Sequence, residues 1–240
     1  MAIELYTGFV GSGKSFNATK TGIQVAEAPL YNRYVVANFP IKKRKKLFSF
    51  LYKGDKKYFN TRWIYKDNDE LTVQYLVKKS LEMGWNKKES SALIIFDEAS
   101  IPFNARSFKT ADRMDWIKFL TQSRKFGYDV IFITQDSRML DKQIRALCEY
   151  EVVHKKMNNM FVFKFLPFTL FACIRYWNGV NARYGKGTLS LAIYRKKIAN
   201  RYDTLRIFDN SDEEEKRSGH KGTGSAGGSL GPAALEHSPK

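Results

Sequence analysis

A glycine-rich loop near the start of the chain contains the residue types that hold a phosphate chain. Gly8, Gly13, Lys14 and Ser15 satisfy the pattern G-x-x-x-x-G-K-[ST], between an apolar segment and a segment of helical character. In such a loop, backbone N–H groups turn inward around phosphate oxygens, and the following helix presents unpaired donors at its N-terminus to the same anion. The spacing therefore predicts a nucleoside triphosphate site.

The lysine and the hydroxyl of this loop have separate predicted roles. Lys14 is expected to reach the β- and γ-phosphates, and the Ser15 hydroxyl to bind Mg²⁺. The alternative is a glycine-rich turn that binds nothing, which would require the whole pattern to arise by chance in its proper place. The residues predicted to contact the nucleotide are Gly8, Gly11, Ser12, Gly13, Lys14, Ser15 and Phe16.

Two adjacent carboxylates close a strongly apolar run of the chain. Asp97 and Glu98 follow the letters LIIF, and ligands of open parallel sheets bind at the carboxyl ends of strands. Asp97 is predicted to hold Mg²⁺, directly or through water, and Glu98 to polarise a water molecule for attack on the γ-phosphate. The pair favours hydrolysis over phosphoryl transfer to a metabolite. A solvated turn carrying two acids is the alternative.

A polar residue and several arginines complete the candidate site. Gln135 closes a second apolar strand, and its amide reaches the γ-phosphate region if that strand lies beside the strand that carries Asp97. There it would sense hydrolysis or orient water; a plain strand terminator is the alternative. Arg124 is a candidate for an arginine that stabilises charge at the γ-phosphate of a neighbouring subunit. The competitors for that role are Arg106, Arg113 and Arg138.

Strands and helices alternate along the part of the chain that must position these residues. The predicted strands are residues 3–7, 33–39, 91–99 and 128–135, and the predicted helices are residues 14–27, 69–83, 110–126 and 141–147. Beyond Glu149 the pattern changes to strands and hairpin-like turns at residues 157–160 and 178–179. This order predicts an α/β fold: a mostly parallel sheet flanked by helices, with a β-hairpin-rich C-terminal part.

Composition narrows the class of protein and its compartment. Two cysteines among 240 residues are too few for a disulfide framework and indicate a reducing compartment. Residues 161–177 are apolar, but two basic residues and a proline interrupt them, whereas a membrane-spanning helix needs roughly 20 apolar residues. We therefore expect no transmembrane helix and no secretory signal in this chain.

One folded domain is expected over residues 1–208. Residues 209–240, acidic and then rich in Gly and Ser, are expected to be a linker, an artificial remnant or a disordered end.

The formal net charge of +17 favours an anionic partner. The densest basic run, residues 42–46, precedes a series of aromatic residues. Lysines that neutralise phosphates beside rings that stack on bases suit single-stranded nucleic acid, and the same mixture suits an anionic membrane surface. A solvated lysine loop whose aromatics belong to the core is the third interpretation. The aromatic residues are Phe48, Phe50, Tyr52, Tyr58, Phe59 and Trp63.

Four stretches taken together, GFVGSGKS, LIIFDEA, SRKFGYDVIFITQD and DKQIRALCEYE, resemble the zonula occludens toxin (Zot) family. The resemblance covers roughly residues 1–208 and includes RYDT at residues 201–204; its narrowest signature is R-x-x-G-x-D-x-x-x-x-TQ, which begins at Arg124. It implies a P-loop NTPase of the additional-strand type (RecA/FtsK–HerA-like) that binds ATP through residues 8–15. It also implies Walker B and sensor roles for Asp97, Glu98 and Gln135.

The function implied by this resemblance is that of a Mg-dependent ATPase motor for filamentous phage assembly, which exports single-stranded phage DNA through the host inner membrane. The implied partners are that DNA or its nucleoprotein complex, other phage assembly or coat proteins, and further copies of the chain in a homo-oligomeric ring. The implied location is the host cytoplasm, at the cytoplasmic face of the inner membrane. Two alternatives stay open: a phage DNA packaging ATPase, and a nucleotide-dependent membrane scaffold that does not hydrolyse.

Overall fold

A computed structural model describes residues 2–28, 32–44, 62–106, 110–159, 167–178 and 187–202. The strands are β1 (Ile3–Thr7), β2 (Tyr34–Ala37), β3 (Trp63–Tyr65), β4 (Ala92–Phe96), β5 (Tyr128–Ile133), β6 (Tyr150–Lys156), β7 (Leu170–Trp177) and β8 (Thr188–Ile193). The helices are α1 (Lys14–Glu27), α2 (Val73–Met83), α3 (Thr110–Thr121), α4 (Lys142–Leu147) and α5 (Lys196–Ala199). Short 3₁₀ helices are formed by Trp85–Lys87, Ser123–Phe126, Ser137–Met139 and Met157–Asn159.

The strands form one sheet in the order β3-β2-β4-β5-β1-β6-β7-β8. The pairings from β3 through β6 are all parallel, whereas β6 with β7 and β7 with β8 are antiparallel. One strand, β5, lies between the strand before the glycine loop and the strand before the two acids, which is the strand order of the additional-strand NTPases. The predicted fold class, including the hairpin-rich C-terminal part, is confirmed.

Two hydrophobic clusters hold the sheet. The first packs α2, α3 and α4 against the sheet through buried residues such as Leu76, Trp116 and Ile144. The second packs α1 against it through Phe16, Ala18 and Ala26, with residues of α5 at its margin. Because both faces of the central strands are covered, β4 is buried along its whole length, as its continuous apolar sequence predicts.

Two predicted helices differ from the observed ones at their ends. α2 begins at Val73 rather than at residue 69, because the Thr72 hydroxyl accepts a hydrogen bond from the Tyr75 N–H (3.2 Å) and caps the helix there. α3 ends at Thr121 rather than at residue 126. The Ser123 hydroxyl donates to the Leu120 carbonyl (2.7 Å), so the chain tightens into a 3₁₀ turn that ends at Gly127 (φ 75°).

Part of the apolar segment at residues 161–177 can be assigned. Leu170–Trp177 forms β7, as its aromatic and β-branched content predicts. In the ranges that the structure describes, helices are too short or too polar to cross a membrane. Four predicted features lie outside the described residues. They are residues 160–166, most of the aromatic series after residue 46, the boundary predicted at residue 208 and the predicted tail at residues 209–240.

Candidate functional site

The carboxyl ends of four parallel strands meet at one edge of the sheet. β1 runs into the glycine loop, β2 into Asn38, β4 into Asp97 and Glu98, and β5 toward Gln135. The loop and β5 are joined directly, because the Gly8 N–H donates to the Gln135 carbonyl (3.3 Å). The residues predicted from separate parts of the sequence therefore lie at a single edge, where ligands of open α/β sheets bind. We call this edge the phosphate edge.

Two positions of the glycine loop exclude a side chain. A Cβ on Gly8 would lie 2.4 Å from the His154 carbonyl oxygen, and one on Gly13 would lie 2.7 Å from the Phe171 ring. Both residues also have positive φ angles, 138° and 92°. Gly11 has a φ of 73° with open space around it. The loop thus needs glycine for its backbone path and for its close approach to β6 and β7.

Lys14 and Ser12 are placed to hold an anion within this loop. The Lys14 ammonium donates to the Gly8 carbonyl (2.7 Å) and the Phe9 carbonyl (3.1 Å). Burial lowers the pKa of Lys14, and the charges of Glu98 and Asp97 oppose that shift. The Ser12 hydroxyl is buried and has no hydrogen-bond partner among the described residues. A phosphate oxygen would satisfy that hydroxyl, so the loop fits the predicted nucleotide.

Asp97 is the polar centre of the site and is almost fully buried. Its Oδ1 accepts hydrogen bonds from the Ser15 hydroxyl (3.2 Å) and the Glu98 N–H (3.0 Å). Its Oδ2 accepts from the Tyr202 hydroxyl. Among the described residues, no cluster of three or more His, Cys, Asp or Glu residues could hold a metal ion unaided. One hydroxyl and one carboxylate suit Mg²⁺, which completes its shell with phosphate oxygens and water.

Asn38 and Tyr202 hold this aspartate in place, and sequence reasoning did not identify either as a site residue. The Asn38 side chain bridges the backbone of Asp97: its amide donates to the Asp97 carbonyl (2.7 Å), and its oxygen accepts from the Asp97 N–H (2.7 Å). The contacts span 59 residues for Asn38 and 105 for Tyr202. The only available signals were the strand end at Asn38 and the RYDT stretch within the family resemblance.

Glu98 combines an exposed carboxylate with an unusual backbone. Its φ angle is 49°, in the left-handed region that residues other than glycine rarely adopt. Burial and the neighbouring Asp97 raise the pKa of Glu98, whereas the Lys14 charge lowers it. The Lys14 and Glu98 side chains are thus close enough for the charge of each to shift the pKa of the other. Strained backbone of this kind is concentrated at functional sites, where the surrounding structure holds it in place.

Gln135 and Arg124 lie at opposite ends of β5: Gln135 follows the strand and Arg124 precedes it. The strand of Gln135 neighbours the strand of Asp97, and its side chain is exposed at the phosphate edge, which meets the condition for the predicted sensor role. Arg124 precedes β5 at the other edge, where its guanidinium pairs with Glu89 (2.7 Å). It is therefore remote from the glycine loop of its own chain, since β5 is six residues long. Both roles, including action of Arg124 in a neighbouring subunit, stay predictions.

Two further arginines named as competitors are also paired. Arg113 lies 3.3 Å from Asp141, the residue that caps α4. Arg138 is exposed near the phosphate edge and lies 2.6 Å from Asp136.

Phe16 differs from the other residues predicted to contact nucleotide, because its side chain belongs to the core. The ring packs against Phe171 (5.7 Å between centroids) and Tyr194 (5.3 Å) and is nearly inaccessible. Its predicted contact with the nucleotide therefore depends on the backbone N–H near the N-terminus of α1. The side chain instead anchors α1 against the sheet.

His154 on β6 is a buried neighbour of the glycine loop. Its Nδ1 lies 2.9 Å from the Val152 carbonyl and its Nε2 lies 3.2 Å from the Asn17 amide. Burial lowers the pKa of His154 to about 4, so the ring is neutral, with Nδ1–H donating and Nε2 accepting. Through Asn17 the ring fixes the first turn of α1 relative to β6. A lone histidine gives no pattern that would reveal this contact.

The basic run is exposed where the structure describes it, at Lys42, Lys43 and Arg44. Trp63, one of the aromatic residues that follow the run, is partly buried: its indole N–H donates to the Phe39 carbonyl (3.2 Å), and its ring covers Gly22. Trp63 is thus a packing residue rather than an open platform for a base. Residues 45–61, which contain the remaining lysines and aromatics, lie outside the described residues.

The amino-acid sequence is similar to those of a known family and of several phage proteins. A family model described as "Zonular occludens toxin (Zot)" matches residues 2–203. The Gene 1 protein of Enterobacteria phage M13 is 31% identical over 140 residues, covering 52% of this chain and 39% of the phage protein. The Gene 1 protein of Enterobacteria phage I2-2 is 28% identical over 161 residues, covering 67% of this chain and 42% of the phage protein.

The chain thus spans about two fifths of the length of these curated relatives. Among solved structures, the ATPase domain of G40P is similar with a TM-score of 0.50 at 11% sequence identity, over 84% of this chain and 84% of that one. A likeness at this identity concerns the fold alone.

Proposed function

The chain belongs to the zonular occludens toxin (Zot) family, and from its phosphate edge we propose that it is a Mg-dependent ATP hydrolase that drives filamentous phage assembly and export of single-stranded phage DNA. The observation that carries the proposal is the convergence of Lys14, Ser15, Asp97 and Glu98. The Ser15 hydroxyl lies 3.2 Å from Asp97, and Lys14 and Glu98 are the chain neighbours of these two residues.

Binding of the triphosphate would use the loop and the start of α1. The backbone N–H groups that follow Gly11 and Gly13, together with the Ser12 hydroxyl, would hold the phosphates. The Lys14 ammonium, which contacts two loop carbonyls, would exchange these neutral acceptors for phosphate oxygens. An anionic acceptor makes a charge-assisted hydrogen bond about twice as strong as a neutral one, so this exchange favours the bound state.

Magnesium, when bound, would neutralise charge on the β- and γ-phosphates. Ser15 and Asp97 are the residues that would hold it. Asn38 fixes the Asp97 backbone on both sides, and Tyr202 fixes one carboxylate oxygen. These contacts leave the aspartate little freedom, which reduces the reorganisation required when the site fills.

Glu98 would act as the general base. Its side chain is exposed at the phosphate edge, where it can accept a proton from an attacking water molecule. Burial and the neighbouring Asp97 raise the pKa of Glu98, which makes its carboxylate a stronger base than that of an ordinary glutamate. Gln135, at the end of the neighbouring strand, would orient that water or sense the γ-phosphate.

Assembly into a homo-oligomeric ring is part of the proposal. Phe9 and Val10 at the tip of the glycine loop are 89% and 82% exposed, although both are apolar. A neighbouring copy seated over the nucleotide would bury them and could supply an arginine to the γ-phosphate. Phage DNA, or its nucleoprotein complex, and coat or assembly proteins at the cytoplasmic face of the host inner membrane are the proposed partners.

Steady-state phosphate release from ATP and Mg²⁺ tests the function. It is measured without DNA, with circular single-stranded DNA and with duplex DNA. We expect hydrolysis that single-stranded DNA accelerates, and a Glu98→Gln variant that is slower by a factor on the order of 100 or more. The variant also controls for contaminating ATPases. The same trace release from both proteins in all conditions would favour the scaffold, and acceleration by duplex DNA alone would favour a packaging motor.

A further inference from the structure

Two basic segments from distant parts of the sequence lie side by side, and we propose that together they form the surface that binds the phosphate backbone of single-stranded nucleic acid. The first segment contains Lys42, Lys43 and Arg44, and the second contains Arg195, Lys196 and Lys197. We call these six residues the composite basic surface. The proposal rests on the proposed function and names the site at which the motor would contact its nucleic acid.

Hydrogen bonds join the first segment to the residues that closely follow the second. The Lys42 N–H donates to the Arg201 carbonyl (2.9 Å), the Arg201 guanidinium donates to the Lys42 carbonyl (3.2 Å), and Ile41 forms a bridge with Tyr202. The basic residues of the second segment begin α5, whose C-terminal turn leads directly into Arg201. Four to six residues of compact helical chain separate them from that junction, a rise of roughly 6–9 Å.

The cations of both segments face solvent, whereas their apolar residues face the protein. All six basic side chains are exposed, and Ile41, Ile198 and Ala199 pack against the second hydrophobic cluster. Neither residues 41–44 nor residues 194–202 include an aspartate or a glutamate. The two segments themselves thus carry six cations and no carboxylate, a charge balance that attracts a polyanion.

The orientation of the apolar residues favours nucleic acid over a membrane. Docking on an anionic bilayer combines cations with apolar side chains that project into the headgroup region. Here Ile41 and Ile198 are partly buried against the second hydrophobic cluster, and the Tyr194 ring, although 40% exposed, packs against Phe16 and Phe171. A surface that offers mainly cations fits a phosphate backbone, whose binding is dominated by release of counterions.

The composite basic surface is also connected to the nucleotide site. Asn38, which holds the Asp97 backbone, precedes the first segment by four residues in the chain, and Tyr202, which holds the Asp97 carboxylate, follows Arg201. Arg201 in turn pairs with Glu27 at the end of α1 (2.8 Å). Nucleic acid bound at the surface is therefore linked by short, hydrogen-bonded segments to the carboxylate predicted to hold magnesium.

Charge-neutralising variants test the surface. In one protein Lys42, Lys43 and Arg44 are changed to Gln, and in a second Arg195, Lys196 and Lys197 are changed to Gln. A matched control changes Lys87, Lys88 and Lys125 to Gln, which removes the same charge from exposed positions at the opposite edge of the sheet. Thermal unfolding and binding of ATP to each variant establish that the proteins are folded.

Fluorescence anisotropy of a labelled oligo(dT) is followed over a range of KCl concentrations. The slope of log affinity against log salt is negative, and each phosphate contact contributes about −0.7 for a single strand. We therefore expect each surface variant, which loses three contacts, to have a slope that is shallower by about 2. The control should keep the wild-type slope. The proposal is overturned if the control loses as much as the surface variants, or if the second variant binds like wild type. It is also overturned if the surface variants keep DNA binding but lose binding to phosphatidylserine vesicles.

Binding is measured without hydrolysis, so the assay separates this proposal from the proposed function. A chain that binds oligo(dT) through the composite basic surface but releases no phosphate contradicts only the proposed ATPase. A chain that hydrolyses ATP but shows unchanged salt slopes in both surface variants contradicts only the present inference.

Discussion

Replacement of Glu98 by glycine should abolish hydrolysis and stabilise the fold at the same time. At a φ of 49°, a residue with a side chain is less stable by about 1–2 kcal/mol than glycine in the same conformation. Glycine loses more backbone entropy on folding, which offsets about 0.5–1 kcal/mol of that gain. With the middle of each range, the expected net stabilisation is about 0.75 kcal/mol, or a rise in Tm of roughly 1.5–3 °C for a domain of this size.

The proper reference for this comparison is Glu98→Gln rather than the wild type. The pKa of Glu98 is raised in the folded chain, so the ionised carboxylate destabilises the fold above the ordinary glutamate pKa. Both variants remove that charge, so the difference between their melting temperatures reports the effect of backbone conformation at residue 98. Thermal unfolding followed by circular dichroism gives the stability, and phosphate release from the same preparations gives the activity.

Ser90→Gly is the matched control, since Ser90 has a φ of 54° but lies before β4, away from the phosphate edge. The Ser90 hydroxyl donates to Asp129 (3.1 Å). Glycine at this position therefore relieves backbone strain but loses a hydrogen bond that contributes about 1 kcal/mol. Hydrolysis of ATP should persist in this variant. If Glu98→Gly melts at or below the temperature of Glu98→Gln, the inferred strain is wrong. If Glu98→Gly hydrolyses ATP like wild type, the proposed base is wrong.

Three further predictions concern the surroundings of the site. Gly13→Ala should unfold more readily than Gly11→Ala by about 1–3 kcal/mol, because the new methyl group meets the Phe171 ring only at Gly13; equal stability in urea titrations would contradict this. Tyr202→Phe should slow phosphate release about tenfold with ATP binding retained, since a hydrogen bond to a carboxylate contributes about 1.5 kcal/mol; an unchanged rate would exclude a positioning role. His154 has a pKa of about 4 when folded and an ordinary value of about 6.5 when unfolded, so the unfolded chain binds more protons between these values. Stability should therefore fall as pH drops from 6.5 toward 4, by roughly 3 kcal/mol from this group. His154→Gln should show a shallower decline, and parallel pH profiles would refute the assignment.

The chemistry of the phosphate edge could be predicted because it is encoded locally. The glycine loop is a contiguous pattern, and Asp97 and Glu98 directly follow a continuous apolar strand, so both motifs carry their structural context with them. The adjacency of β4 and β5 was a condition of the prediction for Gln135, and the sheet order fulfils it. Only the prediction for Gln135 depended on a contact between distant parts of the chain, the pairing of β4 with β5.

The residues that hold the site together could not be predicted in this way. Asn38 and Tyr202 act on Asp97 only because the sheet places β2 beside β4 and because the chain returns to this edge after β8. The ends of α2 and α3 depended on single hydroxyl groups at Thr72 and Ser123, which periodicity does not detect. Phe16 was assigned to the nucleotide from its position in the loop, whereas long-range packing buries its ring.

The most direct test of the central claim is a single-turnover experiment with Glu98→Gln. The variant is mixed with radiolabelled ATP and Mg²⁺, separated from free nucleotide, and the bound nucleotide is identified over time beside the wild type. The proposed site predicts that the variant retains intact ATP, held through Lys14 and Ser15, while the wild type converts it to ADP and phosphate. A variant that captures no ATP, or that cleaves it as fast as the wild type, would contradict the assignment of binding and hydrolysis to this edge.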